Sequence, residues 1–159
     1  MSDSAPSNTS AERRLPAVVP CASCGKLNRV DLARLDARPA CGSCRTPLDL
    51  DAPMVLNDAT FDTVVSSSSV PVMVDFYADW CGPCRMMAPV FAEFAKRQRG
   101  KALVVKVNTD ENPAVSSRFG IRSIPTLTLM QLGEEVGRQV GAVPMAALER
   151  MLAAAAEPE

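Results

Sequence analysis

Cysteine enters this 159-residue chain in one form only, the pair Cys-x-x-Cys: Cys21 with Cys24, Cys41 with Cys44, and Cys81 with Cys84, with none left over and no histidine anywhere. Two cysteines at that spacing lie within one turn of backbone, so they either close a disulfide or share a metal ion. The first two pairs are separated by sixteen residues, the two-knuckle spacing that lets four thiolates converge on one tetrahedral ion. One structural zinc held by Cys21, Cys24, Cys41 and Cys44 is the expected occupant; spacing alone leaves iron open. Gly25 and Gly42 are expected to permit the tight turns around these sulfurs. A rival reading has the four thiols oxidise to two disulfides and expel the metal, which would make the module a redox switch.

Charge narrows the class of partner. The whole chain carries 17 basic and 18 acidic side chains, so neither nucleic acid nor a membrane is expected to be a partner. Residues 15 to 50 hold five basic and three acidic groups, an excess that four thiolates around a zinc ion would nearly cancel, which argues against a nucleic-acid face there as well. The opening residues are rich in Ser, Pro and Asn, without an apolar block suited to a signal core or a span; residues 1–17 are expected to form a disordered tail, and the chain is expected in the reducing cytoplasm. With 47% apolar residues, the remainder suffices for one ordinary core and a small module.

Composition changes near residues 50 to 54, separating a cysteine-rich, strand-poor stretch (18–52) from a second domain (53–159) with alternating strand and helix patterns. In the latter, Asn57 is expected to cap a helix running to Val65, 70–77 reads as a buried strand, and a long helix follows over 82–99 with a kink at Pro89. A second buried strand covers 101–108, a short helix 113–119, and strands near 126–130 and 135–140 flank a turn at Leu132-Gly133. An amphipathic helix begins at Pro144. The order βαβαββα predicts an α/β fold, a mixed central sheet flanked by helices.

The third cysteine pair stands where the first of these strands ends and the long helix starts. Unpaired amides and the positive end of the helix dipole favour a sulfur anion at Cys81. Cys84, one turn further in, is expected to be more buried and to close a disulfide with Cys81. Asp75 sits in "VPVMVDFY" between apolar neighbours on both faces. It is either a buried carboxyl of raised pKa, placed to take a proton from Cys84 with Lys106 as its charge partner, or an edge residue facing water.

With these residues in view the chain resembles the thioredoxin family over residues 54 to 157, through "FDTVV", "PVMVDFYADWCGPCRMMAP", "VVKVNTDENP", "SSRFGIRSIPTLTLM" and "VGAVP". The resemblance implies a thioredoxin fold and protein-disulfide reduction, with Cys81 the nucleophile, Cys84 the resolving thiol, Asp75 the general base and Lys106 its modulator. It also implies a substrate groove formed by Trp80, Gly82, Pro83, Ile124, Pro125 and Gly141, with Pro125 in the cis form. Tyr77 departs from the tryptophan common in the family and is expected to alter the polarity of that groove. A histidine between the cysteines would mark an oxidising relative; Gly82-Pro83 favours a reductant.

The ribbon placed before such a domain, together with "CGKLNRV", is similar to the zinc-containing second type of bacterial thioredoxin. Expected partners are proteins bearing disulfides and a NADPH-dependent thioredoxin reductase, with no organic cofactor bound. The alternative function is a regulatory binding module in which the ribbon senses oxidation by releasing zinc.

Overall fold

In the computed structural model, which describes residues 14–156, the chain begins with a hairpin of β1 (Pro16–Pro20) and β2 (Leu27–Asp31), paired antiparallel. Its register sets Ala17 opposite Val30, and the alternation of small and β-branched residues turns Ala17, Val19 and Val30 inward. The stretch expected to be poor in strands therefore contains two, because alternation over only five residues is too brief to separate from loop by pattern. The expected tail is shortened at its end for the same reason: Pro16 and Ala17 belong to β1, while residues 1–13 lie outside the described residues.

Short helical turns over Leu32–Ala37 bury Leu32 and Leu35. Asp31 heads them, its Oδ1 accepting from the amides of Ala33 at 3.0 Å and Leu15 at 2.9 Å, an Asx-type cap that also ties the chain to its own beginning.

The main sheet contains β3 (Met54–Leu56), β4 (Val72–Tyr77), β5 (Leu103–Asn108), β6 (Thr126–Gln131) and β7 (Glu134–Val140), in the order β3-β5-β4-β6-β7. The first three in that order run parallel, and β6 and β7 add antiparallel. The short edge strand β3 went unread from sequence. Helices α1 (Phe61–Ser67) and α3 (Pro113–Arg118) cover one face, α2 (Gly82–Arg97) and α4 (Met145–Ala156) the other. Asn57 does not cap α1 directly: its Oδ1 accepts from Ala59 and Thr60 amides at 2.9 Å in a turn ahead of the helix. Pro89 lies inside α2, which continues through it.

Strand alternation decides which face each β4 residue serves. Val72, Val74 and Phe76 join a core with Phe61, Val64 and Val65 of α1, and the same core takes in Ala17, Val19, Val30, Leu32 and Leu35 of the hairpin and its helical turns. The hairpin is thereby packed on the domain it precedes. Met73 joins Met87, Phe91 and Phe94 of α2 and Leu148 of α4 on the opposite side. Asp75, two residues after Met73, is turned to that same face, under the helix that carries the third cysteine pair. The groups that position the site thus come from two strands and one helix start.

Candidate functional site: a dithiol above a buried carboxyl, and a four-sulfur cluster

Cys81 occupies the N-cap of α2, with extended backbone (φ −84°, ψ 118°), and its Sγ accepts the Cys84 amide N–H at 3.2 Å. Gly82 and Pro83 form the first helical residues; proline fits there because that position has no intrahelical acceptor for an N–H. The Cys81 Sγ also lies 3.6 Å from the Ile124 carbonyl oxygen. Ile124 packs on Ala78, Cys81 and Cys84, and the Ile124-Pro125 peptide is cis. Gly141, at φ 97°, where a side chain would be strained, donates its N–H to the Pro125 carbonyl at 2.7 Å. The structure therefore brings Ile124 to the Cys81 sulfur, ties Gly141 to the adjoining Pro125, and sets Gly82 and Pro83 directly after Cys81 in the first turn of α2. Trp80 stands beside them, 67% exposed, its indole held to Asp110.

The expected difference in burial between the two cysteines is absent, as each is 4% exposed. They differ in chemistry instead. Burial, and after it the hydrogen bond with the Cys81 sulfur, pushes the Cys84 thiol up to about 12, so Cys84 stays protonated at neutral pH unless a base takes its proton.

Asp75 is 1% exposed; it is the buried carboxyl of the two sequence readings, because β4 lies in the interior of the sheet. Burial raises its pKa to about 6, and the positive charge of Lys106 acts in the other direction. A cavity of about 210 Å³ is lined by Asp75, Tyr77, Asp79, Cys84, Arg85 and Lys106, so the carboxyl and the Cys84 thiol border the same cavity. Lys106 is the β5 register partner of Asp75, but its ammonium lies over the Tyr77 ring, 4.4 Å from the centroid. Tyr77 therefore lines the cavity below the cysteines, where period-two alternation puts it with Asp75, and it also packs against the cluster of Ala78, Cys81 and Cys84.

Sequence reading missed Asp110 and Asn108. Asn108 Oδ1 accepts the Asp110 amide at 2.9 Å, which orients the Asp110 carboxylate toward Trp80. The available signal was the run Asn108-Thr109-Asp110 at the end of a strand, where Asx side chains favour turns.

The other four cysteines converge as the spacing predicts: their sulfurs all lie within 4.8 Å of one another, with Cys21 to Cys44 at 3.5 Å and Cys24 to Cys41 at 3.6 Å. Four thiolates about 2.3 Å from a tetrahedral zinc would stand about 3.8 Å apart, so the donor set fits that ion. The two knuckles repeat one geometry. Ser23 and Ser43 amides point at the sulfurs of Cys21 and Cys41, at 3.4 and 3.3 Å, and Gly25 and Arg45 amides return to the Cys21 and Cys41 carbonyls. The positions requiring left-handed backbone are Gly25 (φ 80°) and Arg45 (φ 70°). Gly42 lies in the turn of the second knuckle without left-handed backbone, and its amide donates to Asn28 Oδ1 at 3.0 Å.

Comparison with known proteins agrees with this geometry. Residues 52–154 match the family model described as Thioredoxin, and residues 20–46 match the zinc-ribbon model described as Thioredoxin 2, N-terminal. Thioredoxin C-3 of Corynebacterium nephridii is 44% identical over 135 residues, covering 85% of this chain and 92% of the relative. Thioredoxin 1 of a Nostoc species is 54% identical over 103 residues, 65% of this chain and 96% of that one. The solved structure of a mutant thioredoxin from Halobacterium salinarum superposes with a TM-score of 0.62 at 37% identity, over 70% of this chain and 96% of the other. A cysteine pair at a helix start above a buried carboxyl, on a five-stranded mixed sheet, and a family match across most of that domain place this chain in the thioredoxin family.

Proposed function

We propose that this chain reduces protein disulfides by dithiol-disulfide exchange, with Cys81 attacking and Cys84 resolving. The observation that carries the reading is the shared cavity in which Asp75 faces a Cys84 thiol that neutral water would leave protonated. Cys81, as the thiolate, attacks one sulfur of the substrate disulfide; an intermolecular S–S bond forms and the other substrate sulfur departs as a thiolate that takes up a proton. The Asp75 carboxylate then accepts the Cys84 proton, and the resulting thiolate attacks the Cys81 sulfur. An intramolecular disulfide forms, the second substrate sulfur leaves and is protonated, and two electrons have passed to the substrate.

Cys81 is suited to the first step because its sulfur meets an amide donor and the positive end of α2. Trp80, Gly82, Pro83, Ile124, Pro125 and Gly141 are assigned to the groove that receives an extended substrate segment, and Lys106 modulates Asp75. A NADPH-dependent thioredoxin reductase returns the electrons, and the reducing cytoplasm is the assigned setting. Residues 16–52 serve as the ribbon and 53–159 as the catalytic domain. One zinc ion is assigned to Cys21, Cys24, Cys41 and Cys44, closed to substrate, where it would supply folding free energy to a small module.

The test is insulin reduction coupled to such a reductase. Activity is expected for the chain as it stands, and its retention in Cys81→Ser would overturn the assignment. Cys84→Ser is expected to accumulate mixed disulfides with its substrates.

A further inference from the structure

Asp75 and Lys106 are register partners on adjacent parallel strands, a placement that invites an ion pair. None joins them among the described residues, and Asp75 Oδ1 is buried without a protein hydrogen-bond partner. The Lys106 ammonium instead lies over the face of Tyr77, 4.4 Å from the ring centroid, at the wall of the cavity that holds Asp75 and Cys84. A cation over a partly desolvated aromatic face is held by an attraction that competes with a nearby carboxylate. We infer that Tyr77 is a positioning residue for the resolving step: its ring seats the Lys106 ammonium and holds it off Asp75, leaving the carboxylate free to accept the Cys84 proton.

The inference rests on the reading of Asp75 as the base. The groups facing Asp75 are Lys106 from β5, Cys84 and Arg85 from α2, and Tyr77 and Asp79 from β4 and the turn after it; its β6 partner is the apolar Leu127. Lys106 is the cation on that surround whose charge opposes the effect of burial on Asp75. Its seat therefore governs how basic the carboxylate remains, because an opposite charge moved into direct contact lowers a carboxyl by about 1 to 3 pH units.

The test follows the Asp75 carboxyl carbon by NMR through a pH titration of the reduced full chain, beside the pH profile of insulin reduction. Tyr77→Leu is expected to lower the Asp75 midpoint by about one pH unit and to carry the profile with it, while Tyr77→Phe, which keeps the ring, stays at the native position. In a Lys106→Met background, Tyr77→Leu is expected to add nothing. An unchanged midpoint in Tyr77→Leu, or the same displacement with Lys106 absent, overturns the inference, since Tyr77 would then act through burial alone. In the unaltered protein the Lys106 ε-methylene protons are expected upfield from the ring current; an ordinary shift overturns it whether or not the variants fold. Asp75→Asn separates the two claims: if that variant keeps the native pH profile, the reading of Asp75 as base fails, while the titration midpoint still reports on Tyr77.

Discussion

The indole N–H of Trp80 donates to Asp110 Oδ2 at 2.9 Å, joining the residue before the first redox cysteine to the loop after β5. Trp80 is 67% exposed, so this bond is the main restraint on a ring assigned to substrate binding. Asp110→Ala is expected to lower kcat/KM for insulin about fivefold, the equivalent of about 1 kcal/mol. Reduction of a small aromatic disulfide, which needs less of the groove, should change little. Equal losses on both substrates would remove Trp80 positioning from the account.

Asp75 links stability to pH in a stated direction. Folding raises it from 3.8 to about 6, so the native state binds this proton more tightly than the unfolded chain does. The ionised carboxyl is therefore a penalty, absent below pH 3.8 and complete above about 6. At about 1.4 kcal/mol per pH unit it reaches about 3 kcal/mol. Asp75→Asn is expected to be more stable than the parent by about that amount at about pH 7.5, with the difference vanishing toward about pH 3.5, by urea unfolding at both pH values. The variant should also resolve mixed disulfides more slowly.

Because the Cys84 thiol is pushed up to about 12, brief alkylation of the reduced protein at neutral pH is expected to label Cys81 and spare Cys84. Peptide mapping by mass spectrometry reads the ratio directly. Comparable labelling of the pair would contradict the division of roles.

Zinc content is expected to be one ion per chain by elemental analysis, and Cys21→Ser is expected to lose it and to lower the melting temperature. Insulin reduction by the variant should persist at temperatures where the domain stays folded, since the four-sulfur cluster and the dithiol use separate residues. If mild peroxide leaves the metal bound, the alternative of a ribbon that senses oxidation by releasing zinc fails.

Leu35, 5% exposed, packs in the core shared by the hairpin and α1 and approaches Gly100 at the turn before β5. Leu35→Ala removes two buried methyl groups and the methine that carries them and is expected to cost about 2 to 5 kcal/mol. Thermal unfolding followed at Trp80 should report that loss if the ribbon and the sheet unfold together. A native melting curve at Trp80, with loss confined to the ribbon signal, would show the two to be energetically separate.

Much of this protein was legible from the residues alone. Cys-x-x-Cys spacing constrains which sulfurs can converge, because a few backbone bonds restrict their separation; both the four-sulfur cluster and the dithiol at a helix start followed from it. Apolar runs marked β4, β5 and β6, whose burial on both faces leaves a continuous hydrophobic signature. Short elements were harder to read: β1, β2 and β3 span five, five and three residues, too few for periodicity to emerge.

What only the tertiary structure decided were relations between residues distant in the chain. The sequence left Asp75 between burial and exposure, and sheet order settled it by placing β4 inside. It proposed Lys106 as a charge partner, and the folded chain set that ammonium on Tyr77 instead. It marked a boundary near residue 52, across which one core runs from the hairpin into α1. Local chemistry is written in short spacings because covalent geometry enforces it, whereas the choice of neighbour for a buried charge or a short hairpin depends on which surfaces meet after the chain has closed on itself.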